Sequence, residues 1–126
     1  MRAVKILIVA MIFVLSMTVL LQAGQNKFGV ADTRNIVFEN AIRIGDVLLP
    51  KGEYKVLHTM DGDNHIMVFT QQGGKNPAEV KVKCTLVPLT AKAPTTEKLY
   101  VMNGANERVL RELVFRGDTA KHVFGN

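Results

Sequence analysis

The stretch Glu79-Val80-Lys81-Val82-Lys83-Cys84-Thr85-Leu86 alternates polar and apolar residues at every step. Successive side chains of a strand point to opposite sides, so the run places Val80, Val82, Cys84 and Leu86 on one buried face. Glu79, Lys81, Lys83 and Thr85 are left in water. The same period of two recurs along the chain. Tyr54, Val56 and His58 share one face of another strand, and 66–70 is apolar on both faces, as a central strand requires. Further strands are expected over 99–102, 109–115 and 119–124, with shorter ones near 36–38, Ile42–Ile44 and Val47–Leu49. Between them, Gly45-Asp46, Asp61-Gly62, Gly73-Gly74, Asn103-Gly104 and Arg116-Gly117-Asp118 offer residues that tolerate the backbone of tight turns. Residues 88–96, with Pro88 and Pro94, form the one long connection. The expected fold is all-β, an antiparallel meander forming a small β-sandwich or closed β-barrel.

The N-terminus follows a different rule. Arg2 and Lys5 precede an apolar run from 6 to 21, and Leu21-Gln22-Ala23-Gly24 ends it with small residues. A basic start, an apolar helix and a small-residue exit predict a signal peptide over 1–23, cut between Ala23 and Gly24. The run has 16 residues, short of the roughly 20 that span a bilayer. Contact with a membrane is therefore expected only if this segment stays uncleaved. Residues 24–34 read as an irregular leader and 35–126 as a single β domain, exported to the periplasm or secreted. Without Arg2 and Lys5, 14 of the 16 Lys and Arg remain against 11 Asp and Glu, and the signs are interleaved. No basic face of the kind that neutralises phosphates emerges, so no nucleic-acid partner is expected.

Ile42 to Val56, with its Gly45-x-x-x-Leu49-Pro50-x-Gly52-x-Tyr54 core, resembles a strand–turn–strand pattern of small secreted bacterial β-rich proteins of unassigned function. The ending 108–115 followed by 120–124 is similar to the closing hairpin of such proteins. The resemblance implies an exported β domain and carries no catalytic or binding residues with it.

Candidate chemistry is sparse. Ser16, in the signal, is the only Ser, so the exported part has no serine nucleophile. Cys84 is the only Cys; it is either buried on its apolar face or free to form a disulfide with another chain. If Asp61-Gly62 is a two-residue turn, His58 pairs with His65 across the hairpin, close enough to share a metal ion. Asp63 or His122 would then be the third ligand. A longer loop would separate the two rings, and His58 also fits a hydrogen-bonded core position. Asp61-Gly62-Asp63-Asn64 lacks the distant bidentate acid of a calcium loop and reads as a turn. Arg116-Gly117-Asp118 spells an adhesion tripeptide where a hairpin needs a turn. Gly73-Gly74-Lys75 precedes no helix, and the acids are scattered, so neither a phosphate loop nor an acid–base pair is indicated. Leu57, Met67, Phe69, Tyr100, Met102, Leu110 and Val123 fall opposite the best core positions. They would mark a second buried face, a partner interface or a cavity lining, unless bulges swap the faces.

The expected function is thus a non-enzymatic exported domain with a binding or structural role in the envelope or outside the cell. No catalytic residues and no cofactor are expected. Its partner is an envelope or extracellular chain, or a second copy of itself. One alternative is a barrel carrying an apolar small molecule, with Tyr54 and His58 as polar handles. The other is a metal-dependent enzyme built on His58 and His65.

Overall fold

The structure, a computed structural model, describes residues 29–125. The expected signal peptide over 1–23 and its expected cut between Ala23 and Gly24 lie outside the described residues. Nine strands follow one another: β1 (Thr33–Phe38), β2 (Ile42–Ile44), β3 (Val47–Leu49), β4 (Gly52–Asp61), β5 (Asn64–Gln71), β6 (Glu79–Pro88), β7 (Glu97–Met102), β8 (Arg108–Val114) and β9 (Ala120–Val123). No helix interrupts them among the described residues. The fold is all-β.

The strand order is β1-β4-β5-β6-β9-β8-β2-β3, with β7 on the free side of β8. This corrects the expected antiparallel meander, because β2 pairs with β8 in parallel through Ile42–Arg108 and Arg43–Val109. The short β2–β3 hairpin is too small to bury its apolar residues alone, so it docks beside β8, far along the chain. The sheet is mixed and does not close on itself.

One strand organises the rest. β6 pairs with β5 over 79–84 and with β9 over 85–88. It changes partner between Cys84 and Thr85, and there the sheet folds over. The turn of the sheet brings rings on β4 and β9, three places apart in the strand order, to a centroid distance of 5.0 Å between His58 and His122. Flat strands three steps apart would stand about 14 Å from each other. The enclosed core holds Ile36, Phe38, Tyr54, Val56, Met67, Phe69, Leu110, Leu113 and Phe124. Phe69 sits centrally, its ring 6.2 Å from Phe38 and 6.1 Å from Phe124. Burial of this apolar surface is the main driving force for the fold.

Met67, Phe69 and Leu110 are therefore core residues and not members of an opposite face. β5 carries apolar residues on both faces, Ile66 and Val68 half-buried on the outer one, which hides its parity in the sequence. Opposite Leu99 and Tyr100 the register shifts, Arg111 being the extra residue, so a bulge swaps the faces of β8 and buries both Leu110 and Leu113. On β7 Leu99 and Met102 are exposed and Tyr100 is half-buried.

The resemblance segment also has a local explanation. The Tyr54 hydroxyl, fully buried, donates a 2.6 Å hydrogen bond to the Pro50 carbonyl and so clamps the turn that leads from β3 into β4. Gly62 takes φ +60 at the first loop position of the β4–β5 hairpin, the conformation that a type II′ turn demands there.

Candidate metal centre

Four side chains with metal-ligating chemistry meet inside the fold, each from a different strand. The loop of the β4–β5 hairpin is Gly62-Asp63, so Asp61 pairs with Asn64, His58 with Met67, and His65 with Met60. The expected direct pairing of His58 with His65 is thus wrong by one step of the loop. The two rings nevertheless meet along the diagonal, where aromatic side chains remain within reach. His58 Nε2 and His65 Nδ1 are 2.9 Å apart, one donating and the other accepting.

His65 in turn faces Cys84 on β6, and Leu86, one inward position further, faces His122 on β9. Cys84 and His122 thereby become diagonal neighbours at the corner of β6. Their Sγ and Nδ1 atoms are 3.5 Å apart. One ligand atom each from His58, Cys84 and His122 lies within 4.8 Å of the others, and all three residues are buried. His65 is half-buried, bonded to His58 and outside that group. Asp63 is exposed on its turn and outside it as well.

The surroundings fix this cluster. The backbone of His58 is held by Ala31 N–H donating to its carbonyl (2.7 Å) and by its own N–H donating to the Asp32 carbonyl (3.3 Å). The chain before β1 therefore covers the site. Arg34 approaches from β1 but is engaged, its Nη2 donating to Asp118 Oδ1 at 3.0 Å, with its guanidinium 5.3 Å from the Phe115 ring centroid. Asp118 also accepts from the Phe115 backbone N–H. These contacts commit the Arg116-Gly117-Asp118 carboxylate to the turn.

Burial dominates the electrostatics. It pushes the Cys84 thiol up to about 11. It also drives His122 down to about 4, aided by the electrostatic influence of His58, His65 and Arg34 nearby. At neutral pH His122 is an uncharged imidazole with a lone pair to offer, and Cys84 is a thiol that must lose its proton to solvent when it binds a metal. A cavity of about 10 Å³ adjoins His58, Met67 and His122. That is room for about one water-sized occupant.

Of the residues singled out in the sequence, His58, His65 and His122 are brought together, whereas Asp63 and Tyr54 are not. Cys84 was read correctly as inward-facing, but its place beside His122 was missed. The inward parity of β6 and of Ala120, His122 and Phe124 is visible in the sequence; the adjacency of β6 to β9 is not. Comparison with protein-family models, curated proteins and solved structures gave no match.

Proposed function

We propose that this chain is an exported, non-enzymatic β domain, rolled in the manner of a small sandwich, whose role is to bind one transition-metal ion. His58, Cys84 and His122 are its ligands. The observation that carries the reading is the convergence of these three buried groups from β4, β6 and β9 within 4.8 Å. The 3.5 Å between Cys84 Sγ and His122 Nδ1 equals the N···S edge of a tetrahedron drawn with ordinary metal bond lengths, about 3.5 Å. Drawing His58 in closes the set. Residues 1–23 support export, and burial of all three ligands, with a one-water cavity beside His58 and His122, supports holding an ion over turning over a substrate. That cavity is far below the roughly 300 Å³ that an enclosed small-molecule ligand needs, which weighs against a carrier with His58 as its polar handle. A cavity of about 630 Å³ lies beside the 89–95 connection, β7 and β8, and touches neither Tyr54 nor His58.

The test is metal content by inductively coupled plasma mass spectrometry after dialysis against Zn(II), and against Cu(I) under reducing conditions. One ion per chain is expected, lost in Cys84→Ser and His122→Gln variants that keep the wild-type circular dichroism. Less than a tenth of an equivalent of either metal would overturn the reading.

A second reading, association with another chain through β7, rests on Leu99, Val101 and Met102, which are exposed on a strand paired on one side only. Sedimentation that finds a strict monomer, with no partner recovered after crosslinking in the envelope, would sink it.

A further inference from the structure

We infer that the ion is copper in its cuprous state, and that the Met67 thioether completes the site with His58, Cys84 and His122. This rests on the metal-binding reading above and adds the identity of the ion and a fourth ligand.

The argument starts from what surrounds the three ligands. A closed zinc site needs four N, S or O donors, and the group offers three. His65, the nearest further imidazole, directs Nδ1 at His58 Nε2. Asp118 is held by Arg34 and by a backbone N–H. Asp32 is more than half exposed and is turned toward Arg34 at 3.9 Å. The remaining wall is Met67. It is 1% exposed, it is the direct cross-strand partner of His58, and it lines the same small cavity as His58 and His122. Met67 also pairs with Val82 on β6, one inward position before Cys84. The thioether therefore lies on the same inward face as the three ligands, in the row of His58 and one row from that of Cys84.

Two imidazoles, a thiolate and a thioether make a soft donor set. Thiolate serves zinc and Cu(I) alike, but zinc takes Cys, His and carboxylate ligands and not thioethers, and two His and one Cys with a weaker Met are a combination that suits copper. Cu(I) also tolerates low coordination and needs no bound water, in keeping with a buried site that has space for a single small occupant. Binding exchanges the Cys84 S–H proton for the metal, which leaves a neutral thiolate–Cu(I) unit and one proton released to solvent.

The experiment is anaerobic competition of the exported chain for Cu(I) against bathocuproine disulfonate, and for Zn(II) against a chromophoric chelator. Wild type is compared with Met67→Leu, a volume-conserving change that cores tolerate. The expected result is one Cu(I) per chain, bound at least 1000-fold more tightly than Zn(II). Met67→Leu should weaken Cu(I) about 10-fold and leave Zn(II) unchanged, and copper-edge X-ray absorption should count two sulfur neighbours in wild type and one in the variant. Stoichiometric Zn(II) bound as tightly as Cu(I) would overturn the copper assignment while the metal-binding reading stands. Cu(I) binding that is indifferent to Met67→Leu, with one sulfur neighbour in both proteins, would overturn Met67 as a ligand. Binding of neither metal would remove the reading on which the inference rests.

Discussion

Replacing Phe69 by Ala tests the packing that holds the site together. Phe69 is fully buried and lies two residues beyond Met67 on the inward face of β5. Its ring touches β1 through Phe38 and the end of the chain through Phe124. Truncating a buried Phe to Ala costs about 3–5 kcal/mol, because transfer energy is lost and a cavity remains. Two tilted ring pairs, each worth about 0.5–1.5 kcal/mol beyond area burial, place this position at the upper end, near 4–5 kcal/mol. A domain of this size has a total stability of about 5–15 kcal/mol, so the variant is left marginal. Urea unfolding of the metal-free chain, followed by far-ultraviolet circular dichroism, reads the effect as a shift in midpoint at constant slope. Val37→Ala is the control: Val37 is 54% exposed, and a surface change of this kind stays within about 0.5 kcal/mol. Phe69→Leu should recover most of the loss. A Phe69→Ala cost below about 2 kcal/mol would refute the reasoning, since no ring at the junction of three buried aromatics can be removed so cheaply.

Other consequences follow from single contacts. Tyr54→Phe removes the donor to the carbonyl of Pro50, an exposed residue whose acceptor water can reach, and should cost about 0.5–1.5 kcal/mol by urea unfolding, the net worth of an ordinary hydrogen bond. The Glu107 carboxyl is held down at about 2 by hydrogen bonds from Arg43 and then Asn103. Its folded value lies below its ordinary 4.5, so its contribution is full above pH 4.5 and is lost as pH falls toward 2; thermal melts of Glu107→Gln should show a flatter acid limb there. His122 runs by the same linkage in a higher window. Its folded value of about 4 lies below 6.5, so the unfolded chain takes up the proton first. The metal-free protein should lose stability as pH falls from 6.5 to 4, and urea midpoints of His122→Phe should fall less over that interval.

Local structure was legible because its causes are local. The alternation of β6, the Tyr54–Val56–His58 face of β4 and the turns at Gly45, Gly73-Gly74 and Gly117 are written into consecutive residues, and the structure reproduces each. The register of the β4–β5 hairpin was missed because it turns on one choice. Asp61-Gly62 and Gly62-Asp63 are both acceptable two-residue loops by composition. Only the second puts Gly at the first loop position with φ +60, and that choice moves His65 from opposite His58 to opposite Met60. The parallel β2–β8 pairing was invisible for a further reason: it joins segments more than sixty residues apart, and alternation within a strand says nothing about which strand lies beside it.

The same distinction explains why the metal centre was only half visible. His58, His65, Cys84 and His122 occupy inward positions that period-two reading assigns strand by strand. Their meeting depends on two long-range facts. One is that β9 docks on the second half of β6, and the other is that the sheet folds over where β6 changes partner. Without that fold His58 would stand some 14 Å from β9, and a shared ion would be out of reach. Cys84, at the point of exchange, is therefore a packing residue of the corner and, in the proposed reading, a metal ligand as well. Its substitution separates the two roles: Cys84→Ala keeps the small apolar side chain that the corner needs, so loss of metal with retained unfolding cooperativity assigns the thiol to the ion and not to the fold.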